Sequence, residues 1–163
     1  KVIPWHVQKG LKINHIHGYG GMGKDSFPAA MQAAGIPLKS DRLRITEYIN
    51  DMEICLAAAD LVICRSGAST LAELEAVGRG SILIPIVTGN HQLHNANVLG
   101  DANAAIVIEQ KDASPERIIQ EVERLYQQPE KLAEMGSNAK KLAIADTEER
   151  IWNVVKSLTS KKN

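Results

Sequence analysis

DLVICRSGASTLAELEAVGRGSILIPI, residues 60–86, reads as a strand, a tight turn, a helix and a second strand. Asp60 to Cys64 is a short, nearly continuous apolar run, the pattern of a strand buried on both faces. Ala68 to Val77 reads as a helix, with Gly78 at the place where a helix C-terminus favours glycine. Ser81 to Ile86 returns to a buried strand. The same alternation continues in both directions. Upstream, Leu11 to Ile16 reads as a strand that runs into the glycine cluster His17 to Gly23. Asp25 to Ala34 is a helix closed by Gly35, Arg42 to Tyr48 alternates as a strand, and Asp51 to Ala59 is a helix with Asp51 as N-cap. Downstream, Gln92 to Leu99 is a helix and Ala104 to Ile108 a strand. Apolar strands alternating with helices predict an α/β fold built on an open, doubly wound parallel sheet covered on both faces.

The tail has another character. Ser114-Pro115-Glu116 is a helix start, with serine as cap and proline in the first position. Two or three helices follow as far as Leu158, broken near Pro129 and Asp146, and residues 156–163 are expected to fray. Residues 1–112 are thus read as a Rossmann-like sheet domain and 113–163 as its C-terminal helical extension. Lys1 to Gly10 reads as the last turns of a helix, which suggests that the chain begins inside a domain.

The chain has 163 residues, 44% hydrophobic and 23% charged, enough apolar matter for one core. Its 19 basic residues balance 19 acidic ones, which disfavours a nucleic-acid partner held by phosphate neutralisation. The longest apolar stretch, Ile82 to Val87, contains Pro85 and falls far short of the roughly 20 residues of a membrane span. Cys55 and Cys64 form no disulfide framework and read as buried reduced thiols.

In open parallel sheets, ligands bind beyond the carboxyl ends of the strands. After Cys64 comes RSGASTLAE, residues 65–73. Ser66 and Gly67 make a turn of small residues, and the amides of Ala68, Ser69 and Thr70 then open a helix whose dipole favours an anion. A phosphate or diphosphate fits there. Glu73, one turn further in, suits the hydroxyls of a ribose or sugar, and it could also be a plain first-turn acid. After Ile86 comes VTGNHQLHNA, residues 87–96. Gln92 and Asn95 share a helical face and carry donors and acceptors suited to sugar hydroxyls. His91 and His94 lack a third ligand, so a metal site is not expected. The loop Ile49 to Met52 could flank a flat base. The run HGYGGMGK, residues 17–24, lacks the phosphate-loop spacing, and no acidic partner about 20 residues on completes a dinucleotide fingerprint. It reads as a loop facing the ligand cleft. No nucleophile elbow, supported carboxylate pair or Cys-His signature is visible, and no catalytic residue is assigned.

ITEYINDM, AAADLVICRSGASTLAELEAVG and SILIPIVTGNHQLHNA, at these spacings, resemble the MurG-type glycosyltransferases. The resemblance implies half of a GT-B glycosyltransferase, namely its donor domain, and an inverting transfer of GlcNAc from UDP-GlcNAc to lipid I in peptidoglycan synthesis, without metal or cofactor. It implies that Ile49 meets uracil through its backbone. Gly67, Ala68, Ser69, Thr70 and Leu71 would form the end that meets the diphosphate, Glu73 would bind the ribose, and His91, Gln92 and Asn95 would read GlcNAc. Arg65 would support the site or anchor its loop. The resemblance also implies that lipid I and the membrane are met through an N-terminal domain, at the cytoplasmic face of the bacterial inner membrane, and that this chain alone does not turn over. A donor domain without its first strand should leave strand edges at Leu11–Ile16 and Asp60–Cys64. Gly80, where the family favours proline, and Asn90, where it often has an acid, depart from the pattern. The alternatives are a related UDP-sugar glycosyltransferase with another acceptor, or a non-catalytic binding module.

Overall fold

In a computed structural model of the chain, residues 1–87 and 90–160 are described. The first elements are α1 (Val2–Lys9), β1 (His15–Gly18), α2 (Ser26–Ala33), β2 (Lys39–Ser40), β3 (Leu43–Thr46) and α3 (Met52–Ala58). Next come β4 (Leu61–Cys64), α4 (Ala68–Val77), β5 (Gly80–Leu83), α5 (His91–Asp101) and β6 (Ala105–Val107). The tail holds α6 (Pro115–Tyr126), α7 (Pro129–Leu142) and α8 (Thr147–Ser160). The chain divides into two compact units, the first made of Lys1–Ala59 with Gln110–Pro129, the second of Asp60–Glu109 with the chain from Glu130 onward.

The first unit carries a sheet of order β1-β3-β2. β1 and β3 run parallel, His15 opposite Leu43 and Gly18 opposite Thr46. β2 is an antiparallel addition, with Ser40 opposite Leu43. The sequence did not announce it, because two polar residues carry no alternation. β1 also starts four residues later than the apolar run predicted. The partner strand begins only at Leu43, so nothing pairs with Leu11 to Asn14. The core on one face of this sheet joins Ile3, Met31, Ile36, Leu43 and Ile45, with Tyr19 and Phe27 packed against it. α1 ends at Gly10, whose φ of 64° is the left-handed conformation of a helix stop.

α6 belongs to this unit. Ser114 Oγ accepts the amide of Arg117 at 3.1 Å, and Pro115 stands at the first helical position. This is the predicted cap. Ser114→Ala is expected to cost about 1 kcal/mol, measured as a shift in the urea midpoint; an unchanged midpoint would show that the helix is held by packing alone. Glu121, buried on the same helix, takes Arg117 and Arg124 at 2.8 Å each.

The second unit carries the all-parallel sheet β4-β5-β6, with Leu61 opposite Gly80 and Ser81 opposite Ala105. Leu74, Ile82, Leu83 and Leu99 are fully buried in its core. The α/β class and the strand–helix alternation are those expected, and β1 and β4 each stand at an edge of their sheet. α7 packs backbone to backbone against the turn after α4: a Cβ placed on Gly136 would lie 2.5 Å from Gly78 O. At Gly80 the space beside the strand is taken by Met135, whose Cβ would stand 3.0 Å from an added side chain. Glycine therefore suits this departure from the family pattern. The tail breaks fall where predicted, but residues 156–160 continue α8 rather than fraying, and 161–163 lie outside the described residues. The side chains of residues 147–159 are all exposed, Ile151, Trp152, Val155 and Leu158 among them. Among the described residues, no helix is long and apolar enough to cross a membrane.

Candidate functional site

α4 begins without a cap. Gly67 stands at its N-cap, and among the described residues no side-chain cap hydrogen bond is made there. The first helical hydrogen bond runs from the Leu71 amide to Gly67 O at 3.0 Å. The amides of Ala68, Ser69 and Thr70 therefore have no acceptor within the helix. Ala68 and Ser69 are exposed and Thr70 is half-buried, so this end faces solvent with the positive end of the dipole. Gly67 has an ordinary φ of −66°, and a Cβ there would come no nearer than 3.9 Å to Thr70 Oγ1. Its use is the open approach that it leaves, not a strained turn. Leu71 differs from its neighbours. Its amide is spent on Gly67 O and its side chain is buried, so it anchors the helix end from below. Glu73 is exposed on the same helix.

The second loop is tied to the first. Ser66, completely buried, donates its hydroxyl to Gln92 O at 2.7 Å. Asn95 Nδ2 donates to Ser66 O at 3.4 Å, and the Ile86 amide donates to Gln92 Oε1 at 3.3 Å. Arg65 Nη1 donates to Ile84 O at 2.9 Å, which makes it an anchor of the loop. The second unit thus brings together Gly67 to Leu71, Gln92 and Asn95 at the carboxyl ends of β4 and β5. His91 is exposed at the start of α5, and His94 is exposed too. Asn90 precedes α5 with φ 54°, a left-handed conformation that asparagine tolerates better than most side chains. Thr88 and Gly89 of the predicted loop lie outside the described residues. Among the described residues, no group of three or more His, Cys, Asp or Glu side chains is placed to hold a metal ion.

Ile49 lies in the first unit, in the loop between β3 and α3. Its side chain packs over Gly18, where an added Cβ would meet Ile49 Cδ1 at 3.4 Å. Thr46 Oγ1 donates to Tyr48 O at 3.0 Å and steadies the turn before it. Asp51 stands at the N-cap position of α3 but does not cap it with its side chain. Its carboxylate takes Arg44 at 2.7 and 3.0 Å, and this guanidinium holds the Asp51 carboxyl down at about 2. Arg44 also reaches Cys55 Sγ at 3.1 Å. The strand side chain competes for the carboxylate, and a charge-assisted bidentate pair is stronger than a cap. Sequence spacing within one helix could not show that. Both cysteines are half-buried rather than buried, and burial pushes the Cys64 thiol up to about 11. The glycine run after β1 closes as a short 3₁₀ turn, Gly21–Gly23, with the Gly23 amide on Gly20 O at 3.0 Å.

The signal that sequence reading missed is Ser66. Between a strand and a helix it reads as a turn residue, and its partners lie 26 and 29 positions away.

A profile of the glycosyltransferase family 28 C-terminal domain matches residues 1–151. Among curated proteins, the chain is 41% identical over 142 residues to the UDP-N-acetylglucosamine–N-acetylmuramyl-(pentapeptide) pyrophosphoryl-undecaprenol N-acetylglucosamine transferase of Acetivibrio thermocellus, covering 86% of this chain and 38% of that protein. It is 36% identical over 152 residues to the transferase of the same name from Desulforudis audaxviator, covering 91% of this chain and 41% of that one. The chain spans about two fifths of the length of these relatives. The crystal structure of Acinetobacter baumannii MurG superposes with a TM-score of 0.76 at 26% identity, over 95% of this chain and 44% of that one. The glycosyltransferase VinC, at 20% identity and a TM-score of 0.58 over 78% of this chain and 33% of that one, shares the fold.

Proposed function

The chain belongs to the glycosyltransferase family 28 C-terminal domain family, and from that premise we propose that it is the donor-binding part of an inverting hexosyltransferase that moves GlcNAc from UDP-GlcNAc to lipid I, making lipid II. The observation that carries this reading is the uncapped N-terminus of α4, with the amides of Ala68, Ser69 and Thr70 presented beside the amide side chains of Gln92 and Asn95. The diphosphate sits on the amides, and Gln92, Asn95 and the exposed His91 read the sugar. Glu73 takes the ribose hydroxyls, while Leu71 supports the helix end through its burial. Ile49 is proposed, on the resemblance alone, as a backbone contact for uracil. In the transfer, negative charge builds on the departing UDP. Fixed amides and a helix dipole stabilise that charge without reorganising. No catalytic residue is assigned to this chain, and the reading needs no metal or cofactor. We read residues 1–112, which hold both sheets, as the nucleotide-sugar-binding domain and 113–163 as its helical extension. Lipid I and the membrane are met by an N-terminal domain at the cytoplasmic face of the bacterial inner membrane.

Calorimetric titration with UDP-GlcNAc, UDP and UDP-glucose tests the reading. UDP-GlcNAc is expected to bind most tightly. Glu73→Ala is expected to weaken it by about 1.5 kcal/mol, the lower end of the range for a hydrogen bond to a charged group. A preference for UDP-glucose would favour a related transferase, and a well-folded chain with no affinity for any of the three would favour a binding module instead.

A further inference from the structure

We propose that Ser66 is a positioning residue that locks the sugar-reading face of α5 to the phosphate-binding end of α4; this rests on the donor-site reading above. Ser66 is completely buried and cannot itself touch a ligand. Both its polar groups beyond the amide go to α5: the hydroxyl to Gln92 O at 2.7 Å, and the carbonyl from Asn95 Nδ2 at 3.4 Å. The next residue, Gly67, is the N-cap of α4. One residue therefore sets the offset between the two helix ends.

The lock also fixes hydrogen-bond polarity. Gln92 Oε1 is engaged by the Ile86 amide, which leaves Nε2 as the end of the amide that can donate to a ligand. Asn95 spends one of its two Nδ2 hydrogens on Ser66 and keeps Oδ1 as an acceptor. The Gln92 amide nitrogen and the Asn95 amide oxygen, held at a set spacing, distinguish sugar hydroxyls by position. Gln92 O remains available to the ordinary helical bond, so losing the Ser66 hydroxyl unties α5 without unwinding it. Small misplacements of this kind weaken recognition of the group being read, and spare groups bound elsewhere.

The experiment uses the 163-residue chain and compares it with Ser66→Ala, with Ser66→Cys, which keeps a weaker donor of similar size, and with Gln92→Ala and the Ser66→Ala/Gln92→Ala pair. Affinities for UDP-GlcNAc and UDP are measured beside amide exchange over residues 91–99 in the ligand-free proteins. Ser66→Ala is expected to weaken UDP-GlcNAc about five- to twentyfold while UDP changes less than twofold, with Ser66→Cys in between. In the Gln92→Ala background the Ser66→Ala effect should shrink to the part read through Asn95, because the lock holds the Gln92 backbone while the Gln92 side chain does the reading. Amide exchange over 91–99 should quicken. Equal losses for both ligands, additive losses in the double variant, or no loss at all would overturn the proposal, and so would unchanged exchange. If the unaltered chain binds no UDP-GlcNAc while Ser66→Ala still quickens exchange, the donor-site reading is what fails; the lock then stands as a structural tie only, and its role in sugar reading is overturned with it. Should Ser66→Ala not fold, the Ser66→Cys comparison carries the same tests.

Discussion

Gly136→Ala is expected to destabilise the chain by about 2 kcal/mol. An alanine in a helix interior ordinarily gains up to about 1 kcal/mol over glycine. Here the added methyl would lie 2.5 Å from Gly78 O and 3.4 Å from the Gly78 carbonyl carbon. Neither is the far end of a flexible side chain. Gly78 itself is held at φ 67° as the stop of α4, and a Cβ on it would meet Gly136 O at 3.3 Å. α7 is further tied to this turn by Lys140, whose amine donates to Ala76 O. To admit the methyl, α7 must back away from the end of α4 and uncover Met135 and Ala139, both buried. Overpacking against backbone lies at the upper end of the usual 1–3 kcal/mol and outweighs the helical gain. Urea denaturation checks this. A variant as stable as the parent would mean that the helix moves at no cost.

Acid is expected to remove on the order of 2–3 kcal/mol of stability between about pH 6.5 and 4, through His15. This side chain lies on the covered face of β1 with His17. Its ring centroid is 5.5 Å from that of His6 on α1 and 6.0 Å from that of His17, which stacks on Phe27 of α2 at 4.9 Å. Burial, and then the proximity of His6 and His17, lower the His15 pKa to about 4, and burial lowers that of His17. A folded-state pKa below the unfolded value of 6.5 means that the unfolded chain binds the proton first. Stability is therefore complete above about pH 6.5 and falls as the pH drops toward 4. Asp51 acts in a different window: its carboxyl, held at about 2 by Arg44, loses its contribution only below the ordinary carboxylate range near 3.8. Denaturation midpoints of the parent and of His15→Phe at pH 7.5 and pH 4.5 separate the two. The variant should lose clearly less between those values, and parallel losses would remove His15 from the account.

Much of the fold was legible because it is written in local chemistry. The helix over Ala68–Val77 with its stop at Gly78, the Ser114-Pro115 start and the breaks near Pro129 and Asp146 depend on neighbouring residues alone, and each stands where its residues placed it. The uncapped end at Ala68 was less legible, because Ser66 is a residue type that caps helices and only the fold sends its hydroxyl to Gln92 O instead. Strand limits were less legible. A strand extends only where a partner runs beside it, which is why β1 begins at His15 and why β2 exists at all.

The sequence by itself determined the alternation of strand and helix, the family, and the residue types gathered after β4 and β5. Tertiary structure decided how those residues are used. It turned Asp51 from cap to ion-pair partner, spent Leu71 on the core, made Arg65 an anchor, and joined Ser66 to Gln92 and Asn95 across 26 and 29 positions. A hydrogen bond or a buried contact between distant residues depends on where the backbone carries both partners, and no local pattern encodes that distance.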